Sequence, residues 1–320
     1  MKTALFVGLG LFALPYLRAL AGAVARGRTA GAQGEERGSP SPLELAIGFV
    51  TNFFDTLGIG SFAPTTAVFK LKGLVRDEWI PGTLNVGHTL PTLTQALIFI
   101  AIVNVDVWTL TLMIAAAVAG SWVGAGVVAG WPRRNIQIGM GCALLLAATL
   151  YLLTIFGVAP GGGEALSLSG ARLAIGLAVN FLLGALMELG VGLYGPCLIL
   201  ISLLGMNPQA AFPIMMGSCA FLMPIGSLKF IRRGRYSLRA SLGLGLGGVP
   251  AVLIAAFVVK SMPLAYLRWL VVAVVLYAAI SMLRSAAREA VWQELLSAGV
   301  DLLNSDDLKG LQEFLLKHGR

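Results

Sequence analysis

From Ile80 to Pro132 the chain carries two ionisable side chains, His88 and Asp106, while its basic residues gather in short segments such as KLKGLVRDEW and KFIRRGRYSLR. Apolar stretches of about 20 residues separated by charged clusters are what a hydrocarbon core about 30 Å thick demands of spanning helices. The composition agrees, with 57% hydrophobic and 12% charged residues and a mean hydropathy of +0.85; an ordinary soluble domain has about 45–50% and about 25%. The expected fold class is an all-α integral membrane protein embedded in a lipid bilayer. Loop lysines and arginines account for the net charge of +8, and no basic stripe with interleaved aromatics points to a nucleic-acid partner.

Several chemistries lose their residues at this level. Cys142, Cys197 and Cys219 lie in apolar runs without C-x-x-C spacing, and the two histidines are His88 and His318. Zinc, haem and iron–sulfur sites therefore lack ligands, and no cofactor is expected. A G-x-x-x-x-G-K-[ST] phosphate loop is also missing from the sequence, so ATP is not an expected energy source.

The chain repeats itself. LAIGFVTNFF begins at Leu45 and LAIGLAVNFL at Leu173; Gly58, Gly60 and Pro64 then align with Gly190, Gly192 and Pro196, Gly87 with Gly217, IFI at Ile98 with KFI at Lys229, and Pro132 with Pro263. A colinear series of this kind marks a duplicated unit. Each unit reads as a Gly/Pro-interrupted apolar region followed by three uninterrupted helices. The expected domains are an N-terminal helix over 1–25, a flexible linker over 26–43, repeats over 44–157 and 171–284, and a cytoplasmic tail over 285–320. The N-terminal segment fits either a signal peptide or an uncleaved helix, and Arg18, Arg26 and Arg28 on its C-terminal side favour the latter with its start outside.

Loop charge orients the halves. KLKGLVRDEW and WPRR belong inside and NVDV outside, whereas the equivalent of NVDV in the second half, KFIRRGRYSLR, belongs inside. The repeats are therefore expected to be inverted, with the C-terminus cytoplasmic. Basic segments on both sides of residues 45–71 imply that this region dips into the membrane and returns as a hairpin tipped by Gly58 and Gly60. Lys260 and Arg268 stand apart, flanking a loop placed outside.

Gly and Pro interruptions free backbone groups that lipid cannot satisfy, and in corresponding places of inverted halves they point to a transport site near the midplane. The predicted substrate-binding set is Asn52, Asp55, Thr56, Gly58, Gly60 and Ser61 from the first hairpin, Asn180, Glu188, Gly190, Gly192 and Tyr194 from the second, and His88 and Ser218 on the helices that follow. Helices starting near Ser61 and Leu193 would aim free N–H groups at an anion. His88, Thr89, Thr92 and Gln95 are spaced to share a helical face. Plainer roles compete: Asp55 or Glu188 as a cap on a half-helix or paired with a buried donor, His88 as a helix-packing group, the threonines bonded to their own helices.

With G-x-G-x-x-x-P at Gly58, Gly60 and Pro64 and again at Gly190, Gly192 and Pro196, the sequence resembles the TauE/SafE family of permeases over about Leu43 to Leu283, more strongly in the second half. It carries Ser61–Phe62 and Leu193–Tyr194 where further glycines are usual in that pattern. The resemblance implies a permease for sulfite, organosulfonates or related organic acids in the cytoplasmic membrane. Leucines in the tail, including Leu295, Leu308 and Leu315, recur at helical spacing, which predicts two short amphipathic helices on the cytoplasmic face, with a partner protein as one use for them. A homo-oligomer is compatible with the sequence. The rival readings are a non-transporting membrane scaffold and an intramembrane enzyme built on Ser218 or Cys219 with His88.

Overall fold

The computed structural model describes residues 2–29, 39–76, 79–127, 133–157, 163–187 and 193–297. Eleven α-helices account for most of them: α1 (Lys2–Thr29), α2 (Pro42–Thr56), α3 (Phe62–Lys72), α4 (Ile80–Ile102), α5 (Val107–Val127), α6 (Arg133–Ile155), α7 (Gly170–Met187), α8 (Tyr194–Leu203), α9 (Ala211–Arg233), α10 (Leu238–Ser261) and α11 (Leu264–Ser297). Among the described residues, five stretches are long and apolar enough to cross a membrane: Lys2–Arg26, Gly170–Met187, Pro208–Arg233, Leu238–Ser261 and Ala265–Arg288. Large apolar side chains such as Leu11, Trp122, Leu146, Leu253 and Phe257 point outward, while Asn52, Asp55, His88, Gln95 and Asn180 are buried. Apolar outside and polar inside is the arrangement a lipid solvent selects. The chain is a multi-pass, all-α membrane protein.

Contacts along the helices fix their directions. Glu44 meets Arg239, Gly48 meets Gly243, and Asn52 meets Gly248, so α2 and α10 run parallel. Thr83 with Ser241, Gly87 with Leu244 and Pro91 with Gly248 make α4 parallel to α10 as well. Since α2 and α4 point the same way, α3 must bring the chain back between them. It does so, because Phe69 near the end of α3 packs in one cluster with Ile80 and Leu84 at the start of α4 and Ala240 at the start of α10. The break falls at Leu57–Ser61, where Gly58 and Gly60 take φ values of 99° and 88° that favour glycine. Residues 42–72 therefore form a helical hairpin, and no single helix spans them.

The second half is built the same way from the other end. Asn180 bonds Met113 and Gly184 abuts Ala117, which makes α7 parallel to α5. The segment before α7 and the one after α8 are tied together by an Ala165–Met206 bridge and by the Asn207 N–H donating to the Ala165 carbonyl at 2.9 Å. Helix α7 has spanning length, yet α8 returns the chain to the end where α7 began. Helices α4 and α9 are antiparallel, with Gly82 against Phe230 and Phe99 against Phe212. The first hairpin thus opens at the end where α4 starts and the second at the end where α4 finishes.

Local signals start and stop these elements. Ser41 and Glu44 make a capping box, with the Ser41 hydroxyl accepting from Glu44 N–H and the Glu44 carboxylate accepting from Ser41 N–H, and Pro42 fills the first turn. The same carboxylate pairs with Arg239 at 3.0 Å, binding the starts of α2 and α10. Left-handed glycines Gly73 and Gly234 end α3 and α9, whose last turns carry Lys70, Lys72, Arg232 and Arg233. Helix α11 continues past Leu283 to Ser297, where a separate amphipathic helix was expected to begin. The stretch RSAAREAVWQELLS lacks Gly and Pro and is rich in good helix formers, so nothing in it stops backbone hydrogen bonding. Most of the predicted linker, and the tail beyond Ser297, lie outside the described residues.

Candidate functional site

Asn52, Asp55 and Thr56 lie on the buried face of α2, at the i, i+3, i+4 spacing that stacks side chains on a helix. On α4, His88, Thr92 and Gln95 recur at the same kind of interval, and all are buried. Hairpin and helix therefore meet through two layers of polar side chains.

The first layer centres on His88. Its Nδ1 lies 3.0 Å from Asn52 Oδ1 and its Nε2 lies 3.2 Å from Thr65 Oγ1. The Asn52 amide nitrogen donates to the carbonyls of Gly48 at 2.7 Å and Leu244 at 3.4 Å, so its oxygen is the end that faces the imidazole. Nδ1 then carries the hydrogen in the neutral ring, leaving Nε2 as the acceptor. The Thr65 hydroxyl has two acceptors to choose between, the Ser61 carbonyl at 2.7 Å and this nitrogen. His88 is thus held by both arms of the hairpin.

The second layer joins the two halves. Gln95 Nε2 donates to Asp55 Oδ2 and to Thr56 Oγ1, each at 2.9 Å, and Gln95 Oε1 accepts from the Tyr194 hydroxyl at 3.0 Å. Tyr194 is the first residue of α8, so a chain of hydrogen bonds runs from the first hairpin through α4 to the second. Ser61, the residue before α3, lies beside Asp55. The Asp55 carboxylate therefore lies near the N-terminus of α3, where an external anion was expected to sit. Of the roles considered for Asp55, pairing with a buried donor is the one seen, in the bond from Gln95.

The predicted set is only partly assembled. Asn52, Asp55, Thr56, Ser61, His88 and Tyr194 come together around the first tip, between the positive-φ glycines and α4. Asn180 is elsewhere: its amide nitrogen donates to Met113 of α5 at 2.6 Å, and its buried oxygen has no partner among the described residues. Ser218 donates to the Ile214 carbonyl of its own helix at 2.7 Å. Glu188, Gly190 and Gly192 lie outside the described residues. Two residues of the network, Gln95 and Thr65, were not in the set. The signal for Gln95 was its place on the face of His88, seven residues on; nothing in the sequence singles out Thr65.

Residues 172–304 match the family model described as Sulfite exporter TauE/SafE, a family of membrane transporters, and no curated protein or solved structure matches the chain. The matched stretch begins at the second hairpin and runs 21 residues past Leu283, taking in the extension of α11. This match supports, over the second half of the chain, the resemblance carried by the paired glycine motifs.

Proposed function

We propose that the protein is a secondary permease for a small anion of the sulfite, organosulfonate or organic-acid class, exposing one central site alternately to each side of the cytoplasmic membrane. The observation that carries this reading is the hydrogen-bonded path from Asp55 through Gln95 to Tyr194, which links the tips of two hairpins opening at opposite ends of the bundle. Broken helices meeting at mid-depth from opposite sides are the usual form of such a site. Lys70, Lys72, Arg232, Arg233, Arg235 and Arg239 gather at the end where α4 and α10 begin, so that end faces the cytoplasm. Gln137 of α6 bonds Ser285 of α11 at 3.1 Å near the same end, which supports a cytoplasmic C-terminus.

The position of Asp55 sets the terms of binding. An anion seated on the N–H groups of α3 comes close to that carboxylate, and two unscreened negative charges do not share a buried site. Anion binding and neutralisation of Asp55 by a proton then go together. The pairing required by an intramembrane hydrolase is engaged otherwise, since Cys219 faces Met187 at 3.8 Å and His88 faces Asn52 and Thr65.

The test is flux into liposomes of radiolabelled sulfite, then of small sulfonates and carboxylates, with and without a pH gradient. Saturable flux is expected, lost on Gly60→Leu, because Gly60 has open space at its Cβ position and a φ of 88°, so the change acts on the turn without crowding a neighbour. Asp55→Asn should leave the flux insensitive to the gradient. A panel in which no anion moves, with the protein shown to be folded, sinks the transporter reading.

A further inference from the structure

At the end opposite the basic cluster lies a cavity of about 410 Å³, a size typical of small-molecule sites, walled by Asn104, Glu164, Asn207, Gln209 and Lys260 and floored by Phe99 and Phe212. Lys260 is one of the two residues whose charge disagrees with an outside loop. Here it lines the wall, and among the described residues it makes no ion pair or hydrogen bond, not even with Glu164. The Asn207 amide oxygen accepts from the Gln209 N–H at 2.9 Å, which leaves its NH₂ group as the end that can donate. Lys2 donates to the carbonyl of Val103 on the same rim at 3.3 Å, adding a second ammonium. Asp106, the other nearby acid, is committed to Thr109, whose N–H and hydroxyl donate to it at 2.8 and 3.0 Å.

The floor separates this cavity from the polar network. Phe99 and Phe212 are fully buried and stacked, with ring centroids 5.3 Å apart and planes 17° from parallel. Gln95 lies one helical turn from Phe99 on α4. In order along the bundle come an amide-lined cavity with Lys260 and Glu164 on its wall, an aromatic pair, and the Asp55–Gln95–Tyr194 chain.

We infer that this cavity is a second anion-binding site, an outer vestibule in which Lys260 and the side-chain amides of Asn104, Asn207 and Gln209 hold a sulfonate or sulfite on the far side of the Phe99–Phe212 pair from the central site. Its place on a transport path rests on the function proposed above; its affinity for anions does not. A permanently charged oxyanion close to the membrane needs a compensating charge and N–H donors, and an ammonium supplies the first as a point charge without demanding one geometry. Lys260 is therefore a binding residue, which explains a basic side chain at an end otherwise sparing of them.

The test uses the full chain in liposomes with Cys142→Ala to remove the exposed native thiol and Asn104→Cys as the reporter. Labelling rates are measured with the anionic 2-sulfonatoethyl and the cationic 2-(trimethylammonio)ethyl methanethiosulfonates, each normalised to its rate with free cysteine. The anionic reagent should be favoured, ethanesulfonate should protect against it, and Lys260→Gln should cut the preference about threefold, the worth of one partly screened charge, while Lys260→Arg keeps it. In the flux assay Lys260→Gln should raise the KM for sulfite rather than lower kcat. Equal normalised rates with no protection by ethanesulfonate overturn the site. Anion preference and protection without any flux would uphold the site and overturn the transport reading alone.

Discussion

Asn52 and Asn180 occupy matching places in the two halves, and each donates its amide across to the partner half's parallel helix, Asn52 to Leu244 of α10 and Asn180 to Met113 of α5. Their oxygens differ. That of Asn52 faces His88, whereas that of Asn180 is buried without a partner among the described residues, and the position matching His88 is Ser218, turned back on its own helix. The ends differ in the same way. Phe99 stacks on Phe212 at one end; its counterpart Phe230 lies against Gly82, counterpart of Phe212, at the other. The two halves therefore share a scaffold of helix seams and have diverged in the polar and aromatic groups hung on it.

The shared scaffold gives the largest expected effect. In one seam a Cβ on Gly247 would strike the Leu45 carbonyl; in the other a Cβ on Gly120 would strike the Phe181 carbonyl. Close backbone approach of this kind is what small residues permit between membrane helices. Gly247→Val and Gly120→Val should each cost about 3 kcal/mol or more, beyond the usual overpacking range, and should abolish a monodisperse peak in size-exclusion chromatography. Gly10→Val, at a position with open space around it, is the matched control and should keep the peak. Tolerance at Gly120 with collapse at Gly247 would break the equivalence of the seams.

The seams and turns were open to a reading of the sequence because they rest on short-range facts: glycines at fixed offsets, basic loops, apolar run length. Gly58 and Gly60 announce a turn in any setting where lipid surrounds them. The difference between the halves was less accessible. Whether an asparagine oxygen finds a donor depends on which side chain lies opposite, and His88 is 36 residues from Asn52 along the chain. Asp55 was visible as a buried acid, but its partner Gln95 lies 40 residues along the chain and is brought to it only by the fold. The continuation of α11 was misjudged because hydropathy marks where lipid ends, and a helix does not stop there. Lys260 stood out as a breach of the charge rule, and only the folded chain puts it on the wall of a cavity.

Matched asparagine substitutions sharpen the comparison at intermediate scale. Asn52→Ala removes bonds to Gly48 and Leu244 and strips His88 of its Nδ1 partner. Asn180→Ala removes one bond to Met113 and also an oxygen that had no partner. A buried donor left unsatisfied costs about 1–3 kcal/mol, and an ordinary hydrogen bond contributes about 1 kcal/mol. Asn52→Ala should therefore be the more destabilising by about 1–2 kcal/mol, visible as the lower midpoint in thermal unfolding of the detergent-solubilised protein. Equal midpoints would mean that the first half has gained nothing from His88.

The smallest effect concerns Ser218, which the sequence places in the site and whose hydroxyl the structure spends on Ile214. A hydroxyl bonded back to its own helix contributes little, because the carbonyl it engages is already within the helical ladder. Ser218→Ala should shift stability by about 0.5 kcal/mol or less and leave anion flux close to that of the parent. His88→Gln, which keeps a polar group of similar reach but loses one of two nitrogen contacts, should lower flux more. If Ser218→Ala proved the more damaging of the two, the hydroxyl must leave Ile214 during the transport cycle, and the second half would carry substrate contacts that its resting geometry conceals.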